Sequence, residues 1–441
     1  MKKLSGKASL FILTAVALTL AGGCSKQENG TETKAGTADL RDQNIRLDIY
    51  SSSTYPKDRF DERYGKKFRE KFPNWTINYI PKTKDVSMDT LIASGQKVDL
   101  VWDSIGLYPD TIMKYNLQFD MSDLIAKRKI DLNRFEPTMV DAMKKMSGGG
   151  MYGLPVNDST LVLYYNKDIF NKFGVAYPKD GMTWDEVIPL ASKMTRVEGG
   201  VPYLGFASSV THMVRTNQLS LSAIDQATGR SAMNNDGWKK FFQTIFVDPA
   251  QSTAYKDWYK ANPANATPGT TSYIKDQQVA MFAYLLGFDN ADINRMNWDI
   301  VSMPTFKDKP GIGVQTYPTY WGVTSTSANK EAAMQVIEYL VSDEFQLYAS
   351  KLGQLTVLKN ESVRSAIGQD LTDPGAKGKN VKAIYYNKPA PIPYVSAYSQ
   401  EVSNILTRRV SDVVLEKTDL NSYLRESDEL GNKKIDELSK K

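Results

Sequence analysis

Between residues 151 and 195 the chain has little choice of conformation. The first half of this segment, MYGLPVNDSTLVLYYNKDIF, reads as a strand, a crossing, a second strand and a helix. Residues 162–165 are a short apolar and aromatic run of the kind that fills a buried strand. After Asn166, the side chains of Ile169, Phe170 and Phe173 fall on one face at helical spacing, and Gly174 supplies the stop. Thr183 and Glu186 in TWDE form a capping box, which starts a second helix at a defined residue.

The wording of this segment carries more than its folding. YGLP, then YYNKDIF, then a gap holding Gly174 and Pro178, then TWDE, resembles the signature of the extracellular solute-binding proteins of family 1. These are receptors that feed ABC importers, chiefly of carbohydrates. The resemblance implies that YGLP ends a first lobe, that the next residues cross a hinge, and that YNKDIF starts a second lobe. It continues through residues 278–286 and WDIVSMP at 298–304, with Gln278 where the family has glycine. YPTYWGVTSTSANK at 317–330 matches the return into the first lobe.

The start of the chain speaks to location. Lys2, Lys3 and Lys7 precede an apolar run over residues 8–20, which is too short for a permanent membrane helix; Ala21-Gly22-Gly23-Cys24 follows. This resembles a lipoprotein signal peptide, residues 1–23, with Cys24 as the lipidated (palmitate-bearing) first residue of the mature chain. Leu20 sits one place further from the cysteine than the usual box puts it. Cys24 is the only cysteine, so no intramolecular disulfide forms and no thiol is left for catalysis once it carries lipid. Secretion without disulfides suits the outer face of a bacterial cytoplasmic membrane with no outer membrane beyond it. Removing the leader takes away three of the 55 basic residues and no acid, leaving 52 against 50. That balance is not the surface of a nucleic-acid binder. Residues 24–43 hold few large apolar side chains and read as a flexible tether reaching about 20 Å.

The rest is too long for one small core and suits two lobes. Ile45, Leu47 and Ile49 alternate with polar residues as in a strand, and Phe60, Tyr64, Phe68 and Phe72 recur every four residues as in a helix packed on a sheet. Strands at 75–80 and 98–102 with a helix at 85–94 complete a strand, helix, strand, helix, strand pattern, which predicts a parallel sheet with right-handed crossovers. Beyond Thr195 the pattern is helix-rich, with Trp238, Phe241, Phe242 and Ile245 marking one helix. Residues 248–272 contain three prolines and many small polar residues and read as an exposed loop. Helices at 396–409 and 419–440 close the chain. The expected fold is α/β, a two-lobed periplasmic-binding-protein-like architecture in which each lobe is a mainly parallel sheet flanked by helices, joined by hinge strands. The first lobe takes residues 44–156 plus about 318–357, and the second 157–317 plus about 358–441.

Motifs for catalysis are missing: there is no GxSxG, HExxH or Walker-type loop. His212 is the only histidine and reads as a structural or surface residue, the tyrosine pairs 164–165 and 385–386 read as packing, and the Asn-Asn-Asp-Gly run at 234–237 reads as a turn. No metal and no cofactor is indicated.

Carbohydrate recognition asks for aromatic platforms against the C–H faces of a sugar ring and planar polar groups at its rim. The chain holds 7 Trp, 24 Tyr and 16 Phe. Ligands in open α/β sheets bind outside the carboxyl ends of strands. That rule points to Ser52 and Tyr55 after the first strand and to Trp102 and Asp103 after the third. At the end of its strand Trp102 either tucks beneath the next helix or projects over the cleft as a platform. The hinge residues Asn157, Asp158 and Ser159 are expected on the cleft floor, and the matched segments add Tyr284, Phe288, Tyr320, Trp321, Tyr394 and Tyr398. The reading is a membrane-tethered monomeric receptor, not an enzyme, that closes on a small carbohydrate ligand and docks on the permease subunits of an ABC transporter; the wealth of aromatics favours an oligosaccharide. Two alternatives stay open. One is a lipid-anchored polysaccharide-active enzyme using two carboxylates such as Asp103 and Asp158; the other is a receptor for a peptide or polyamine, with carboxylates dominating its cleft.

Overall fold

The computed structural model describes residues 40–261 and 268–440. Cys24, the leader and most of the tether lie outside the described residues. Two sheets organise the rest. The first takes β1 (Ile45–Ser51), β2 (Trp75–Pro81), β3 (Leu100–Ser104), β4 (Leu154–Asn157) and, from far along the chain, β11 (Thr319–Val323), in the order β2-β1-β3-β11-β4. The second takes β5 (Leu161–Asn166), β6 (Arg196–Glu198), β7 (Val201–Ser208), β8 (Val279–Leu285) and β9 (Trp298–Val301), in the order β6-β7-β8-β5-β9. A two-stranded ribbon joins β10 (Ile312–Gln315) to β12 (Lys388–Ala390).

Local expectations around the hinge hold in detail. The Asn166 side chain accepts from the backbone N–H groups of Asp168 and Ile169, capping the helix Lys167–Phe173, and Gly174 ends it with φ +63°. Thr183 and Glu186 form the capping box of Trp184–Ser192. Residues 57–71 are helical with one wide turn at Asp61–Gly65, and they bury Phe60, Tyr64 and Phe68 against the first sheet.

Both sheets are mixed rather than mainly parallel. β1 pairs in parallel with β2 and β3, and β7 with β8, but β11 runs against β3 and β4, and β5 runs against β8 and β9. The hinge is the reason. A strand that enters a sheet directly from the hinge starts at the edge where the neighbouring strands end, so it must run antiparallel to them.

Two stretches depart from expectation. Residues 196–208 form the β6–β7 hairpin, turned by Gly199 and Gly200 at φ +58° and +79°. Residues 248–272 are no loop where they are described: a helix, Thr253–Ala261, buries Tyr255, Trp258 and Tyr259. Their i, i+3, i+4 spacing makes an apolar stripe that outweighs the local polar composition, and Pro249 sits in a 3-10 turn that tolerates it.

Each sheet has its own core. The first gathers Leu47, Tyr64, Trp102, Tyr320, Trp321 and Ile337; the second gathers Tyr164, Trp184, Phe206, Trp238, Phe282 and Tyr423. Ile392 crosses back into the first core and Leu355 into the second. Three chain segments link the lobes, and they are stitched to one another. The N–H of Asp158 donates to the Leu355 carbonyl at 3.1 Å, while Ser159 and Tyr317 exchange backbone bonds at 3.2 and 2.9 Å.

Candidate ligand-binding cleft

The topology aims the carboxyl ends of β1, β3, β7 and β8 at the space beside these crossings. Two hollows lie there, each lined by both lobes. The larger, about 230 Å³, is lined by Tyr55 and Arg63 from the first lobe, Asp158 and Ser159 from the hinge, and Leu286 and Asp289 from the second. The smaller, about 70 Å³, has Ile105 and Gly106 on one side, Arg215 and Trp238 on the other, and Tyr317 and Tyr394. Tyr317 ties them together, because its backbone bonds Ser159 while Ser104 Oγ donates to its hydroxyl at 3.3 Å. Gly106 leaves room for the Tyr317 hydroxyl, which a Cβ there would displace.

A ring cluster spans the floor. His212, on the helix Val210–Arg215 that follows β7, stands edge-on to Tyr284 at 5.7 Å and to Tyr317 at 6.1 Å. Its Nδ1 is hydrogen-bonded to Ser209 Oγ at 2.7 Å. Burial and the nearby Arg215 hold its pKa down to about 4, so the imidazole is neutral at physiological pH. Asp158 is perturbed the other way. Burial pushes its carboxyl up to about 8, although the N–H groups of Tyr317 and Ser159 oppose the shift.

Of the residues expected in the cleft, Tyr55, Asp158, Ser159, Phe288 and Tyr394 line these hollows, and Tyr284 joins the ring cluster. Ser52 is held beside Thr111 and Asp103, and Tyr398 packs half-buried on the second core. The others are withdrawn. Trp102 is 5% and Trp321 0% exposed; they are cross-strand partners on β3 and β11, stacked at 5.6 Å among Phe60, Tyr64 and Tyr79. They are core because the helix over residues 57–71 covers that face of the sheet. Tyr320 is buried on the opposite face and donates its hydroxyl proton to the Met139 carbonyl. Asn157 is buried between Tyr64 and Thr319.

Asp103 is 1% exposed and fully engaged. It accepts from Ser51 Oγ at 2.7 Å, Ser52 Oγ at 2.8 Å, the Ser52 and Ser53 N–H groups, and Thr111 Oγ1. Its work is to hold the loop after β1.

Arg63, Arg215, Tyr317 and Asp289 escaped the sequence reading, and His212, which reads there as a structural or surface residue, stands beside Tyr284 and Tyr317. Tyr317 stood within a matched segment and three residues before Tyr320, so its distance from β11 was the available signal. Arg63 carries none beyond its place beside Tyr64 on an amphipathic helix.

Comparison with known proteins agrees with this fold. The family model for bacterial extracellular solute-binding proteins matches residues 51–347. A binding protein of Brucella abortus (strain 2308) is 25% identical over 352 residues, covering 74% of this chain and 79% of that one. Among solved structures, a sugar transporter of Rhizobium etli in an open conformation superposes with TM-score 0.68 at 19% identity, covering 88% of this chain and 99% of its own. An ABC substrate-binding protein of Listeria monocytogenes in complex with cycloalternan gives 0.66 at 20% identity, covering 89% and 99%. With a family match over two thirds of its length and the two-lobed fold around an inter-lobe cleft, this chain belongs to the bacterial extracellular solute-binding protein family.

Proposed function

We propose that this protein is a lipid-anchored extracytoplasmic receptor that closes on a carbohydrate, of oligosaccharide length, and delivers it to an ABC importer. One observation carries the reading: an inter-lobe cleft in which tyrosine rings from both lobes and the hinge alternate with hydroxyl, imidazole and guanidinium groups. Rings offer faces to C–H surfaces, and the polar groups meet hydroxyls at the rim. Proteins that share the fold include a sugar transporter and one with mannotriose bound, which adds support. A ligand touching both walls favours the closed form by its greater affinity for it. A hollow of about 650 Å³ borders the same crossings, lined by Glu136, Asp158, Leu355, Arg364 and Tyr385. Acidic side chains do not dominate the cleft, which weighs against a polyamine receptor.

The test is a thermal-shift screen of neutral and acidic oligosaccharides, peptides and polyamines, followed by small-angle scattering on any hit. A saturating sugar should stabilise the protein by about 2.7 kcal/mol at a hundredfold excess over Kd and should reduce its radius of gyration. Hits confined to peptides or polyamines would overturn the carbohydrate reading. An unchanged radius at saturation would overturn closure.

A further inference from the structure

One stretch of the surface is lopsided in charge. Residues 374–400 hold four lysines, Lys377, Lys379, Lys382 and Lys388, and no aspartate or glutamate. Ala376 and Ala383 fix the stretch to the second core. The fold then adds to it from elsewhere. Tyr386 sets its hydroxyl against Gly181, which places Lys179 alongside, and the Lys388 N–H donates to the Gly311 carbonyl at 2.9 Å, which brings up the loop carrying Lys307 and Lys309. Lys359 and Lys388 line the hollow of about 650 Å³ together with Tyr385 and Tyr386. Lys379 turns inward, donating to the Trp298 carbonyl at 2.8 Å; the other lysines of this face are exposed, and Tyr386 with them at 55%. The nearby acids are engaged: Glu136 with Arg364, Asp299 with Lys167, Asp308 with Lys240, Asp180 with Asn380 and Asp373 with Asn294. Glu361, beside Tyr385, and Asp370, just before the stretch, are the exposed acids at its margin. The result is a basic face bearing tyrosine rings on a chain whose mature charge is nearly balanced.

We propose that this face of the second lobe rests on the anionic headgroups of the bilayer to which the chain is tethered. The inference takes the membrane tether from the reading above and is independent of the ligand. Its lysines come from segments spread between residues 179 and 388, a diffuse pattern that suits a plane of negative charge better than a single acidic group. Each lysine brought to such a plane strengthens binding roughly fivefold. Tyrosine, with an apolar ring and a polar tip, suits the headgroup layer. Cys24 lies sixteen residues before Leu40, which packs on the first core, and at ~3.4 Å per residue that length of chain spans up to roughly 50 Å, so the second lobe can reach the bilayer. The tether keeps the face close to the membrane, so a contact too weak to hold a free protein is enough to orient an anchored one. Such a contact is screened by salt and does not replace the lipid.

Vesicle co-sedimentation tests this with the full mature chain carrying Cys24→Ala, so that no attached lipid contributes. The vesicles are phosphatidylcholine alone, or phosphatidylcholine with about one third phosphatidylglycerol. At low ionic strength the anionic vesicles should bind the protein at least about a hundredfold more tightly than the neutral ones, and raising the salt to about 0.5 M should remove the difference. Lys359→Gln, Lys382→Gln and Lys388→Gln together should lower the partition coefficient at least about thirtyfold. Lys82→Gln, Lys84→Gln and Lys97→Gln, which remove the same charge from exposed sites on the first lobe, should lower it less than about threefold. No preference for anionic vesicles, or an equal loss in the two triple variants, would overturn the docking face. Binding to soluble polyglutamate but not to vesicles would overturn the membrane in favour of an acidic polymer or protein. The tether is read separately: if the unaltered protein is found unattached to cell membranes while the vesicle results hold, the anchor fails and the face stands.

Discussion

Trp102→Ala distinguishes a binding platform from a core residue. The indole has ring neighbours at 5.4 Å (Tyr55), 5.6 Å (Tyr64), 5.6 Å (Trp321), 5.9 Å (Phe60) and 6.0 Å (Tyr79). Truncating a buried tryptophan costs ~3–5 kcal/mol, through lost transfer energy and the cavity left behind. Little of this is hydrogen bonding, since the Trp102 indole N–H has no partner. For a cooperative unit of 150–250 residues each kcal/mol is worth ~2–4 °C, so the first lobe should melt roughly 6–20 °C lower. Trp102→Phe, which keeps a ring against Trp321, should cost markedly less. Thermal unfolding followed by near-ultraviolet circular dichroism reads both variants, and the urea midpoint gives an independent scale. If Trp102→Ala melted within a few degrees of the parent and lost ligand binding, the ring would belong to the cleft and the packing argument would fail.

The hinge should be pH-sensitive through Asp158. Because its folded-state pKa is raised, the stability linked to this carboxyl is complete below the ordinary value of 3.8 and is lost as the pH rises through about 8. Urea midpoints of the parent should therefore fall from pH 5 to 9, by at most ~1.4 kcal/mol per pH unit, while Asp158→Asn gives a flatter profile; parallel profiles would refute the assignment. At the chain start, Cys24→Ala should release the protein from membranes or leave the leader attached, as fractionation and intact-mass measurement of the isolated protein will read. A variant that is still processed and still sediments with membranes would refute the lipid anchor.

Sequence alone determined what depends on near neighbours. The Asn166 cap, the Gly174 stop and the Thr183–Glu186 capping box are contacts within a few residues, and each formed where the residues predicted it. The contiguous YGLP to TWDE wording likewise identified the family. Tertiary structure alone decided which aromatics face the cleft. All but the last residue of β3 are buried, so the strand shows no alternation to separate one face from the other. Trp102 turned to the side where Trp321 lies, 219 residues further on, and Asp103 turned to the side where the loop after β1 needed an acceptor. The same holds for Arg63, whose place in the hollow depends on Gln354, 291 residues away. Such pairings form only when the hinge brings distant segments together, so their energies leave no periodicity in the chain.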